Sequence, residues 1–125
     1  VLADAELIAF VPTVDLDRAL AFYEGVLGLR LVEETASAAV FQTDGTMLRL
    51  SAVPEIVARP FTTVGWRVDD IATAVRWLTE RGVQVNRYEG LDQDGLGIWT
   101  APGGDRVVWF PDPDGHILSI TELPG

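Results

Sequence analysis

Along the 125-residue chain, apolar positions alternate, then recur at helical spacing, then alternate again, and the whole cycle occurs twice. In ELIAFVPTV (6–14), β-branched and aromatic residues predict a strand. Asp15 follows as a helix N-cap. Leu16, Ala19, Leu20, Tyr23, Val26 and Leu27 then fall three and four apart, which predicts one apolar helical stripe packed on a sheet. Gly28 is the expected stop. Strands are predicted near 29–34, 37–43 and 46–53, divided by short polar or glycine-containing turns. The second cycle has a strand at 61–68 and a helix from Asp70, carrying Ile71, Ala74, Val75 and Leu78 up to Gly82. Further strands are predicted near 83–88, 105–110 and 116–122.

The two cycles also match residue by residue. FQTDGTMLRL (41–50) lies against FPDPDGHILSI (110–120), sharing a phenylalanine, an Asp-Gly turn and the alternation that follows it. VDLDRALAFYEGVLGLRL (14–31) lies against VDDIATAVRWLTERGVQV (68–85), each with an acidic start, a helical stripe and a closing glycine. Such self-similarity implies one supersecondary unit used twice. The expected organisation is a single α+β domain over 1–125: a first β-α-β-β-β module at 1–53, a linker at 54–60 and a second module at 61–125. The second module carries an additional glycine-rich loop around 88–104 that contains Trp99.

With these motifs in place, nearly the whole chain resembles the vicinal oxygen chelate superfamily, which contains glyoxalases, bleomycin-resistance proteins and extradiol dioxygenases. The resemblance rests on VDLDRALAFYEGVLGL, VDDIATAVRWLTERGV and FPDPDGHILSI. It implies two βαβββ modules whose sheets curl into a partly open mixed β-barrel, with a ligand cavity on the concave face and homodimerisation. The family's metal enzymes place a ligand on the first and the last strand of each module. Those positions fall here on Ile8, Arg49, Thr63 and Ser119. Isoleucine cannot coordinate, arginine stays protonated, and lone hydroxyls are weak donors, so neither a metal nor another cofactor is expected. His116, the single histidine, reads as a turn residue. Glu89, Asp92 and Asp94 in the loop, and Asp112 and Asp114 in the last turn, match no calcium-loop spacing and read as caps of backbone amides.

Composition narrows the partners. A net charge of −10, with no basic stripe, argues against nucleic acid. No run approaches the length of a membrane span, and the N-terminus with Asp4 and Glu6 lacks the features of a signal peptide, so a cytoplasmic protein without a membrane partner is expected. The absence of cysteine removes disulfides, thiolate metal sites and cysteine nucleophiles.

Strand parity directs Ile8, Phe10, Met47, Arg49, Thr63, Arg67 and Ser119 to the face of the family ligand positions, while Trp66 and Trp77 are expected in the core. Trp99 is expected either to wall the cavity mouth or to cover a sheet edge. Arg49, in an apolar concavity, needs an internal acidic partner or an anionic ligand. Two functions follow. The first is metal-independent binding of a small organic molecule through Ile8, Phe10, Met47, Arg49, Thr63, Arg67, Trp99 and Ser119. The second is a glyoxalase, isomerase or lyase-type enzyme in which Arg49, as the catalytic candidate, replaces the metal in stabilising an enolate-like oxyanion.

Overall fold

A computed structural model describes all residues from Val1 to Gly125. The chain divides into two compact units, Val1–Ala58 and Arg59–Gly125.

In the first unit a single 3₁₀ turn precedes β1 (Ile8–Thr13), which leads to a helical segment and three further strands, β2 (Arg30–Glu34), β3 (Ala38–Thr43) and β4 (Thr46–Ala52). The sheet order is β1-β4-β3-β2, with β1 parallel to β4 and the other pairs antiparallel. The helical segment begins as an α-helix, α1 (Leu16–Leu20), and continues as a π-helical turn over Ala21–Val26. The wider turn is visible in Leu27 N–H donating to the Phe22 carbonyl at 2.9 Å. The spacing of the apolar stripe does not by itself announce this change. The stripe packs as expected: α1 lies on β3 and β4, Ala19 and Tyr23 are fully buried, and the Tyr23 ring sits 6.3 Å from that of Phe41.

The second unit repeats the plan with β5 (Thr62–Arg67), α2 (Ile71–Glu80), β6 (Trp99–Thr100), β7 (Arg106–Pro111) and β8 (Ile117–Glu122), in the order β5-β8-β7-β6. β5 is parallel to β8, as β1 is to β4. α2 lies against β7 and β8 through Ile71, Val75 and Leu78, which are buried against Val108, Phe110, Leu118 and Ile120 in the same core. Asp70 caps the helix by accepting from Thr73 N–H at 3.2 Å, and the orphan N–H of Ile71 donates to Glu122 Oε1 at 3.0 Å. Gly82, at φ 87°, ends it with Val83 N–H donating back to the Leu78 carbonyl.

Two expectations need correction. Residues 83–88 form no strand; a single bond from Asn86 N–H to the Trp109 carbonyl touches β7 there, and the edge of the sheet is taken instead by Trp99–Thr100. Trp77 is not core. It is 38% exposed, with the Arg81 guanidinium 4.0 Å above its ring, because it lies off the stripe formed by Ile71, Val75 and Leu78.

The loop before β6 is tied down from within. Gln93 donates to the carbonyls of Asn86 and Gly97 and accepts from Tyr88 N–H. Asp94 accepts from the amides of Leu96 and Ile98 at 2.9 Å each. In the β7–β8 turn, Asp112 accepts from the amides of Asp114 and His116, also at 2.9 Å. These two acidic residues cap backbone amides, as the sequence suggests. No helix is long and apolar enough to cross a membrane.

Candidate functional site

Residues paired directly across a sheet share a face, so the registers sort the candidate side chains into rows. In the first unit one row reads Phe10, Arg49, Val40, Glu33, and its neighbour reads Ile8, Met47, Gln42, Arg30. The opposite face carries Val11, Leu48, Leu50, Ala39 and Phe41, all buried. α1 covers that face, which leaves the Phe10–Arg49 face open: Phe10 is 63% exposed and Ile8 43%.

On this open face lies a groove of about 420 Å³. Ile8 and Phe10 of β1, with Met47 and Arg49 of β4, line one side and the floor. Val40 of β3 continues the floor, and Val32 and Glu33 of β2 close the far side. β2 contributes two consecutive residues because its register slips between Leu31 and Glu33. Such a bulge inserts one extra residue and re-aims its neighbours. Four residues selected by parity, Ile8, Phe10, Met47 and Arg49, are thus brought together, while Val32, Val40 and Glu33 were not foreseen.

Arg49 is half-buried between Phe10 and Val40, and no carboxylate of its unit comes within 4.0 Å of it. Of the two alternatives for Arg49, an internal acidic partner or an anionic ligand, the first is therefore not met within the unit. The cation lies among aliphatic and aromatic carbon with its hydrogen-bonding capacity open toward the groove.

The second unit shows a different surface at equivalent positions. Gly65, Ser119 and Trp109 form the row that matches Phe10, Arg49 and Val40, and the next row is Arg67, Thr121, Val107, Trp99. Arg67 and Trp99 thus share a face with Ser119 in the second unit. Trp99 covers the sheet edge through its pairing with Val107, and its ring lies 5.9 Å from that of Trp109. Tyr88 meets Trp109 edge-on at 5.6 Å. Beside these rings is a recess of about 350 Å³ lined by Pro60, Phe61, Thr62, Leu91 and Ile117 together with Tyr88 and Trp109. β5 carries its own irregularity: Thr62 pairs with Ile117 and Val64 with Leu118, so Thr63 is the unpaired residue of a bulge, and Thr62 lines the recess in its place.

At the four positions that the resemblance assigns to metal ligands, the side chains present do not make a donor set for a divalent cation. Ile8 has no lone pair, Arg49 carries a fixed positive charge, Thr63 lies in the bulge, and Ser119 is a neutral hydroxyl. Neither unit brings together three or more His, Asp or Glu side chains in a group that could hold a metal. His116 is buried at the end of the β7–β8 turn.

Comparison with solved structures gives the same fold. A glyoxalase/bleomycin resistance protein from Catenulispora acidiphila is 27% identical with a TM-score of 0.74, over 97% of this chain and 100% of that one. A member of the glyoxalase/bleomycin resistance protein/dioxygenase superfamily from Sphaerobacter thermophilus is 23% identical with a TM-score of 0.74, over 98% and 99%. A lactoylglutathione lyase from Agrobacterium tumefaciens is 22% identical with a TM-score of 0.71, over 95% and 93%. The model of the glyoxalase/bleomycin resistance protein/dioxygenase superfamily matches residues 7–120, and with two βαβββ units on the same plan the chain belongs to that superfamily.

Proposed function

We propose that the protein binds a small organic molecule in the groove of its first unit, without a metal, and that Arg49 holds an anionic group of that molecule. One observation carries this reading: a half-buried guanidinium in an apolar groove of about 420 Å³ has no carboxylate partner within its unit. A cation placed there loses hydration and is compensated only when an anion arrives. The groove volume falls in the range of small-molecule sites, and its walls are mostly hydrocarbon. Ile8, Phe10, Val32, Val40 and Met47 would take the body of the ligand.

An enzyme using Arg49 as its electrophile would also need a group that gives or takes a proton. Glu33 is the carboxylate that lines the groove with Arg49, and it is exposed to water. That setting suits recognition of a ligand better than proton transfer.

Thermal denaturation with panels of small carboxylates and cationic drugs, after dialysis against a chelator, tests the reading. Carboxylates raise the melting temperature of the wild type; at a hundredfold excess over Kd the gain is about 2.7 kcal/mol. Arg49→Ala loses that response. Stabilisation by cationic compounds alone, or by carboxylates only after a divalent metal is restored, would overturn it.

A further inference from the structure

The row that holds Arg49 ends in a second charge. Phe10, Arg49, Val40 and Glu33 are successive cross-strand neighbours, so the cation and the carboxylate stand two strands apart with Val40 as the floor between them. Two interstrand spacings place their backbones about 9.6 Å from each other. The side chains do not close this gap, since no ion pair joins them within 4.0 Å, and both line the same groove. An apolar floor with opposite charges at its two ends complements a molecule that is itself apolar in the middle and oppositely charged at its ends. The bulge in β2 bears on this, because the slip between Leu31 and Glu33 puts Glu33 opposite Val40, on the row of Arg49.

Building on the reading of the groove as a carboxylate site, we infer that its ligand is amphoteric. A carboxylate lies on Arg49, a short hydrocarbon body lies over Val40 and Met47, and an ammonium or equivalent donor lies on Glu33. Glu33 also acts by exclusion, since a second carboxylate at that end of the ligand would meet like charge.

Three six-carbon probes isolate the far pole: hexanoate, 6-aminohexanoate and adipate share one carboxylate and differ in whether the other end is neutral, cationic or anionic. Met47 is the one methionine of the sequence and lines the groove, so a methyl-labelled methionine supplies a single reporter for NMR titration of the full chain. The wild type should bind 6-aminohexanoate most tightly, hexanoate next and adipate least. Each step is roughly two- to fivefold, the scale of a solvent-exposed charge pair. Glu33→Gln brings the three affinities together, and Glu33→Lys inverts the order in favour of adipate. Since Glu33 is exposed, both variants should fold, which the amide dispersion of a proton–nitrogen correlation spectrum of each variant checks.

If the three probes bind equally, or if Glu33→Gln preserves the wild-type order, the amphoteric assignment is wrong while the carboxylate site at Arg49 stands. If none of the probes moves the Met47 signal, both fall together.

Discussion

The two units share a plan and differ in what they do with it. On the covered faces, equivalent positions hold equivalent residues. Leu48 and Phe41 of the first sheet correspond to Leu118 and Phe110 of the second, and all four are buried to within 1%. On the faces turned away from the helices the correspondence fails: Phe10, Arg49 and Val40 stand where the other unit has Gly65, Ser119 and Trp109. The lesson is physical. A helix packed on a sheet demands close-packed hydrocarbon wherever the motif is used, whereas the face turned away from the helix can diverge into a charged groove in one copy and a set of aromatic rings in the other.

Equivalence of the two covered faces is tested most strongly in the core. Phe41→Ala and Phe110→Ala each empty a fully buried ring from its unit, and each should cost about 3–5 kcal/mol in urea denaturation. A pair of values differing by more than about 2 kcal/mol, beyond the spread expected for such sites, would mean that the two covered faces are not equivalent.

Legibility from the sequence follows the same division. The helical stripes, Asp15 and Asp70 as caps, and the Asp-Gly turns are local devices, and each stands where the sequence puts it. Pairing is not local. Val83 and Val85 alternate as a strand should, yet the edge of β7 is occupied by Trp99–Thr100, and alternation alone cannot say which of two segments wins. Four of the seven residues lining the first-unit groove are likewise legible. Ile8, Phe10, Met47 and Arg49 follow from parity along two regular strands, but Glu33 lies beyond a bulge in β2, where one extra residue defeats parity and no residue type marks it. A bulge in β5 defeats parity at Thr62 and Thr63 in the same way.

At Gly65 the two units differ in how much side chain the row can hold. A Cβ there would overlap the Ser119 hydroxyl and approach the Ser119 carbonyl to 3.1 Å, whereas its counterpart Phe10 carries a whole ring, 63% exposed. Gly65→Ala should therefore destabilise by about 1–3 kcal/mol. Adding Ser119→Ala, which removes the clashing oxygen, should return most of the loss. Phe10→Ala should change stability by under about 0.5 kcal/mol. Thermal denaturation of the four proteins checks this; an unperturbed Gly65→Ala would show that the close approach to Ser119 is unimportant to the second sheet.

The smallest effect expected is at the helix caps, and it separates two otherwise matching aspartates. Asp15 accepts from Arg18 N–H at 3.1 Å and Asp70 from Thr73 N–H at 3.2 Å, but Asp70 also accepts from the Thr73 hydroxyl at 2.9 Å. The backbone amide and then the hydroxyl of Thr73, with smaller help from the Ala72 amide and the Arg76 charge, hold the Asp70 carboxyl below the usual range. Because the folded value lies under the unfolded one, the ionised cap stabilises the fold in full above the unfolded-state value of about 3.9, and this contribution fades as pH falls through the folded value. Asp70→Asn keeps an acceptor for Thr73 but discards the charge. Its deficit relative to wild type should be present at neutral pH, shrink below about pH 4 and vanish once Asp70 is protonated in both states. Thr73→Val, lacking the hydroxyl, should move the Asp70 titration back toward the ordinary range. Carboxyl NMR titration combined with urea denaturation at several pH values reads both effects, and an Asp70 that titrates at or above the ordinary value would mean that the Thr73 amide and hydroxyl do not hold the charged cap.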